Sequence, residues 1–249
     1  MNSVYFILGT PNSGRRAIVR DLVENGLAAE ERALVLLARG ESPVPADAAL
    51  AKLKNVEIRR WAWAAPNFPD MELPEGATVF LLADPQADQI DQLEALKPWL
   101  ASHGAGLARI FCVVDCGLAE KNPVLRQWFD ACIHFADVVF LTRREGLPNK
   151  WLSDFIKHFK EERYPCHFVQ VKAKGDLATP LVWLDPTARR VSQYFDDEEP
   201  LPDIEIETDD EEDDEEDSGL PPPEPYFVRQ ASGRRDKELP DVREFFPKK

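Results

Sequence analysis

Val4-Tyr5-Phe6-Ile7-Leu8, followed at once by Gly9-Thr10-Pro11-Asn12-Ser13-Gly14-Arg15-Arg16, is an apolar strand running into a glycine-bounded turn and then a helix. The spacing is that of G-x-x-x-x-G-K-[ST]. In that loop, backbone N–H groups and a helix N-terminus cradle phosphates, the Lys reaches the outer phosphate oxygens, and the hydroxyl ligates Mg²⁺. Both of the chemical positions are Arg here. Gly9 and Gly14 keep the backbone freedom that the loop needs, and Ser13 stands where it can cap a helix starting at Arg15. Arg15 retains a positive charge, but as a planar fork rather than a compact ammonium. Arg16 places a second cation where the metal's hydroxyl ligand belongs. Two guanidinium groups suit an anionic ligand held without Mg²⁺.

Beyond the loop, apolar runs alternate with helical patterns, which predicts βαβ units and a parallel sheet. Strands are expected at Val4–Leu8, Ala33–Leu37, Val56–Trp63, Ala77–Ala83, Leu107–Val114, Val138–Leu141 and His167–Val171. Val56–Trp63 alternates enough to be an edge, whereas Ala77–Ala83 and Leu107–Val114 are continuous enough to be central. Helices are expected from Arg15 to Gly26 and over 46–53, 89–100, 124–135 and 151–159. Leu181 to Leu184 is apolar without an assignable element. The expected fold is a three-layer α/β P-loop NTPase-like domain over 1–194 with a mostly parallel sheet. A disordered acidic, Pro-rich linker (195–224) and a short C-terminal segment (225–249) follow.

The net charge of −15 comes from that linker. Asp196 to Asp217 holds 16 acidic residues and no basic one, leaving 29 acids against 30 bases elsewhere. Such composition cannot bury enough apolar surface to offset the entropy of ordering. The four cysteines, Cys112, Cys116, Cys132 and Cys166, form no C-x-x-C, which suits a reducing compartment, and no signal peptide or membrane span is evident. A cytoplasmic protein is expected. The basic residues Arg229, Arg234, Arg235 and Lys237 lack the pattern of a nucleic-acid stripe, so neither nucleic acid nor membrane is an expected partner. Tyr226, Phe227, Phe245 and Phe246 suit docking, either onto the domain or onto a protein partner.

Three further segments fall in order after the loop: Leu82-Ala83-Asp84-Pro85, Cys112-Val113-Val114-Asp115-Cys116, and Phe135-Ala136-Asp137-Val138-Val139-Phe140-Leu141-Thr142-Arg143-Arg144-Glu145. Together with Gly9 to Arg16 they resemble the GTPase domain of the CobW-type proteins, P-loop GTPases that act as metal chaperones or insertases, over residues 3 to 175. The resemblance places the guanine-reading Asn, Lys and Asp of that family on Thr142, Arg143 and Glu145. The last is one methylene longer than the family's carboxylate, which removes assurance of guanine selectivity. Arg39 to Lys54 carries no Cys or His, so metal transfer through the family's thiolates is excluded.

The resemblance implies GTP or another nucleotide as ligand. The binding set is Gly9, Thr10, Pro11, Asn12, Ser13, Gly14, Arg15, Arg16, Asp84, Thr142, Arg143 and Glu145. No catalytic residue and no resident metal ligand is assigned, because loss of the Lys and the hydroxyl strips most charge stabilisation from phosphoryl transfer. Asp84 stands where it could hold Mg²⁺ through water or instead cap the next helix. Asp115 and Asn149 read as structural, Asn149 as a helix cap. Cys132 with His134 and Cys166 with His167 read as buried packing rather than a zinc set, since i and i+2 on a helix face apart. Trp61, Trp63, Trp99, Trp128 and Trp151 read as core or rim, with Trp61 and Trp63 placed to form an edge patch. The expected function is a switch or accessory factor with weak or no GTP hydrolysis. The alternative is an inactive pseudo-GTPase that serves as a protein-interaction scaffold.

Overall fold

The computed structural model describes residues 1–196 and 223–246; apart from its ends, the expected acidic linker lies outside the described residues. Seven strands form one sheet: β1 (Asn2–Gly9), β2 (Ala33–Ala38), β3 (Val56–Trp61), β4 (Thr78–Leu82), β5 (Ala105–Asp115), β6 (Val138–Thr142) and β7 (His167–Gln170). Their order is β3-β2-β4-β1-β5-β6-β7, and every pair in it is parallel. β3 is an edge, and β4 and β5 flank β1 at the centre, as their patterning predicts.

Alternation along β1 builds the layers. Val4, Phe6 and Leu8 face one side with α3 (Gln89–Ser102), α5 (Arg126–His134) and α6 (Asn149–Glu161). Tyr5 and Ile7 face the other with α1 (Arg15–Gly26), α2 (Pro45–Leu50) and α7 (Pro180–Trp183). Period-two side-chain direction thus divides one apolar run between two cores. Each fully buried Phe, such as Phe6, Phe80 or Phe111, contributes about 2–3 kcal/mol by leaving water.

Several local expectations are corrected. Ser13 does not cap α1; Gly14 holds that position at φ 97° without a side-chain bond. Asn149 does not cap α6 either, because the helix begins on it and Pro148 stands at the cap. Trp61 and Trp63 form no exposed patch: both rings pack on Phe68, and Trp61 is 3% exposed with its indole N–H donated to Leu82 O. The unassigned Leu181–Leu184 stretch lies on α7, whose end packs Leu184 beside Gly26 and accepts the Tyr5 hydroxyl on Leu184 O. A helix was missed at α4 (Cys116–Lys121), where Asp115 accepts Leu118 N–H at 3.0 Å as its cap. Residues 123–125 form a 3₁₀ turn ahead of α5.

Residues 223–246 lie against α3 and α5. Phe227 stacks on Phe135 at 5.1 Å, and Tyr226 meets His134 edge-on. Arg229 and Arg235 each reach both Asp91 and Glu94 on the outer face of α3. Glu224 receives the Ser192 hydroxyl at 2.6 Å and lies 2.9 Å from His134 Nε2. Burial pushes the Glu224 carboxyl up, but hydrogen bonds with His134 and Ser192 outweigh it and hold it below its ordinary value. A depressed carboxyl contributes stability that is complete above its unfolded value and lost as pH falls through the folded one. Acidification from about pH 5 downward is therefore expected to loosen residues 223–246. NMR resonances of the Tyr226 and Phe227 rings should move toward random-coil positions before the domain unfolds; rings that shift only with global unfolding would contradict this.

Candidate functional site

The loop between β1 and α1 lies at the carboxyl end of the central strand, where ligands bind open α/β sheets. Its shape depends on three positive φ angles: Gly9 at 139°, Asn12 at 59° and Gly14 at 97°. A Cβ on Gly9 would sit 2.6 Å from Val113 O, so neither the backbone angle nor the neighbouring strand admits a side chain there. Below the loop, Thr142 Oγ1 lies 2.7 Å from Ser13 O and 2.9 Å from Val114 O, tying the end of β6 to the turn.

Two glutamines of α3 fasten the floor. Gln89 accepts the Gly9 N–H at 2.9 Å and donates to Gly9 O at 2.9 Å, a two-way amide clamp. One turn later Gln92 does the same to Asp84, accepting its N–H at 2.7 Å and donating to its O at 2.9 Å. Both glutamines are fully buried. Sequence reading missed them, although two amides three residues apart behind the Asp88 cap, on a face otherwise apolar, were a visible signal.

The arginines that replace the loop's Lys and hydroxyl are both buried and both paired. Arg15 donates to Ala83 O at 2.7 Å and to Glu41 Oε1 at 2.8 Å, and is 2% exposed. Arg16 reaches Asp47 Oδ2 at 2.6 Å and lies 3.4 Å from Glu41 Oε1. Arg60 of β3 extends the cluster, 3.5 Å from Asp47 and donating to Glu41 O. Glu41 follows β2 and Asp47 lies on α2, so two segments carry counter-ions to the loop. Neither carboxylate was singled out from sequence.

Beside this cluster opens a cavity of about 510 Å³. Asn12, Gly14, Arg15, Arg16, Arg143 and Lys174 line its cationic side, and Val44, Pro45, Ala46 and Ala49 its apolar wall. The structure thus brings together Gly9 to Arg16, Thr142 beneath them and Arg143 at the rim, where it lies 3.4 Å from Asp115. Asp84 stands apart: its carboxylate accepts Gln86 N–H within its own turn, while Asp88 caps α3. Glu145 is exposed and does not line the cavity.

The loop's backbone suits a phosphate: a helix N-terminus offers N–H groups from its first residues, those of Ala17 and Ile18 here donating to Gly14 O, and the buried Thr10 and Ser13 hydroxyls have no partner. Mg²⁺ fits poorly, because Arg16 and not a hydroxyl follows Arg15 and is itself bound to Asp47. Among the described residues no group of three or more His, Cys, Asp or Glu could hold a metal ion. Burial pushes the Cys116 and Cys166 thiols each up to about 12 and the Cys132 thiol well above its ordinary value.

No protein-family model and no curated protein sequence matches the chain. Among solved structures, the Zn(II)-bound YjiA GTPase from E. coli is similar at 14% identity with a TM-score of 0.42. A Zn(II)-bound triple mutant of YjiA GTPase is similar at 13% identity and 0.43. Each match covers 73% of this chain and 61% of the other, so the chain spans less than two thirds of their length. The α/β P-loop-like fold itself is read from the strand order and the loop that joins β1 to α1. No helix among the described residues is long and apolar enough to cross a membrane.

Proposed function

We propose that this chain is a diverged relative of the CobW-type P-loop GTPases that binds a nucleotide or another phosphate ligand at Gly9–Arg16. In this reading it acts as a switch or accessory factor with weak or no hydrolysis. The observation that carries it is the cavity against the loop, whose cationic side is formed by the loop's own arginines with Arg143 and Lys174. Binding and hydrolysis separate on chemical grounds. Backbone N–H groups and guanidinium groups hold an anion without further help. Transfer of a phosphoryl group also needs a metal and an aligned water, and the position of the metal's ligand is taken by Arg16.

Calorimetric titration with GTP, GDP, ATP and ADP, with and without Mg²⁺, tests the reading. Binding is expected with little dependence on Mg²⁺. Arg143→Ala and Lys174→Ala, both exposed and outside the buried cluster, should each weaken it about ten- to a hundredfold, the size of one charge-assisted hydrogen bond. Affinity that collapses without Mg²⁺ would contradict the reading.

The scaffold alternative has one observation in its favour: Arg15 and Arg16 are already neutralised by Glu41 and Asp47. In that reading the guanidinium groups brace the sheet, and every nucleotide is silent in the titration. Partners would then be sought at the face that carries residues 223–246.

A further inference from the structure

Glu41 occupies the cation that a phosphate would need. Its side chain is 3% exposed, with one oxygen on Arg15 at 2.8 Å and 3.4 Å from Arg16. The second oxygen, Oε2, is buried without a hydrogen-bond partner. Within the same loop, the Thr10 and Ser13 hydroxyls are buried donors without acceptors. The local set therefore pairs a carboxylate that lacks donors with a loop that has donors to spare, and the two do not meet.

Resting on the phosphate-binding reading above, we infer that Glu41 is an internal competitor for the loop. The phosphate ligand binds by taking the place of the Glu41 carboxylate on Arg15 and Arg16. Glu41 thereby sets both the affinity and the class of ligand. A monoanion gains nothing in this exchange, since it replaces one charge with one charge. A polyanion such as pyrophosphate or a nucleotide tri- or diphosphate brings more charge and more acceptor oxygens than the carboxylate it displaces. Those oxygens can take the Thr10 and Ser13 hydroxyls and the helix N–H groups that Glu41 leaves unused.

The turn that carries Glu41 is suited to let it go. Its backbone is held by Arg60, which donates to Ala38 O at 3.2 Å and to Glu41 O at 3.3 Å. Arg60 is one third exposed and pairs with Asp47 at 3.5 Å, so it holds this turn through the backbone and not through the Glu41 carboxylate. The three guanidinium groups of the cluster face two carboxylates. The site is thus biased toward anions even with Glu41 in place, and more strongly with its charge removed.

The test is titration of the full chain with inorganic pyrophosphate in EDTA, comparing wild type with Glu41→Gln. The amide oxygen keeps an acceptor for Arg15 and loses only the charge. Glu41→Gln is expected to bind pyrophosphate at least tenfold more tightly, and its melting temperature should rise more steeply with pyrophosphate than that of wild type. Inorganic phosphate should bind both more weakly than pyrophosphate. Asp47→Asn removes the carboxylate on Arg16 and should move in the same direction, which keeps the test open if Glu41→Gln does not fold. Tighter binding by either variant, including binding where wild type shows none, supports the inference. Equal or weaker binding by the variants, with wild type binding, overturns it and leaves the phosphate-binding reading intact; silence from all three proteins overturns both.

Discussion

Arg15→Met is expected to cost about 3–5 kcal/mol of folding stability, the penalty for leaving a buried carboxylate without its partner. The substitution preserves most of the apolar stem but removes the donor to Ala83 O and the near contact with Glu41, which is left with Arg16 at 3.4 Å. The carboxyl ends of two neighbouring strands lose their tie at once, since Ala83 follows β4 and Glu41 follows β2. The double variant Arg15→Met/Glu41→Leu should recover most of the loss, because replacing both members of a buried pair by apolar groups is near neutral where removing one is not. Urea denaturation of the two single variants and the double one measures this coupling. A single-variant loss below about 1 kcal/mol, the range of solvated pairs, would contradict the description of Arg15 as a buried brace. The same result cautions against Arg15→Ala as a binding control, since lost affinity and lost structure would coincide.

Asp137→Ala should be comparably severe, at about 3–5 kcal/mol. Asp137 is fully buried; its carboxylate accepts Ile110 N–H at 2.7 Å and Arg189 N–H at 2.6 Å, with the Arg190 guanidinium 3.3 Å away. Alanine leaves the buried Ile110 N–H, the part-buried Arg189 N–H and a guanidinium that is 6% exposed without their acceptor. The damage extends outward, because Arg190 also pairs with Asp196 and lies over the Phe195 ring. Tyr194, the residue before Phe195, packs edge-on against Phe227. Denaturation should show the loss of stability, and trypsin should cut after Arg189 or Arg190 in the variant under conditions where wild type resists. Asp137→Asn should fall between the two, since it keeps one acceptor oxygen while turning an amide N–H₂ toward a donor. An alanine variant with wild-type stability and cleavage would show that residues 189–190 are not held by this carboxylate.

Which strands are central and which is an edge was legible where chemistry is local. Ala77–Ala83 and Leu107–Val114 read as central because, Thr78 and Arg109 aside, their residues are apolar, and Val56–Trp63 as an edge because its residues alternate. The caps were less legible, since each depends on one dihedral angle. Ser13 has a suitable hydroxyl, but Gly14 takes the cap position in a left-handed conformation and leaves that hydroxyl inside the loop. At Asn149 the chain arrives through Pro148 in an extended conformation, so the amide falls one residue too late. For the candidate site, the loop was visible as spacing, but the state of its arginines was not. Their partners lie 26 and 31 residues away on other segments, and no periodicity links Glu41 or Asp47 to Arg15 and Arg16. Gln89 and Gln92 were visible as amides on an apolar face, but their partners Gly9 and Asp84 were not: a buried amide signals a partner without naming it.

The salt-bridged loop also has an evolutionary reading. Substituting Ser at position 16 to restore a metal ligand would leave Asp47 with Arg60 alone, and substituting Lys at position 15 would give up the fork that spans Glu41 and Ala83. Neither step toward the standard motif is free while both carboxylates remain, because each trades a satisfied buried ion for an unsatisfied one. Glu41 and Asp47 therefore act as a lock on the two arginines, and a Lys and hydroxyl pair in their place would require concerted change at four positions.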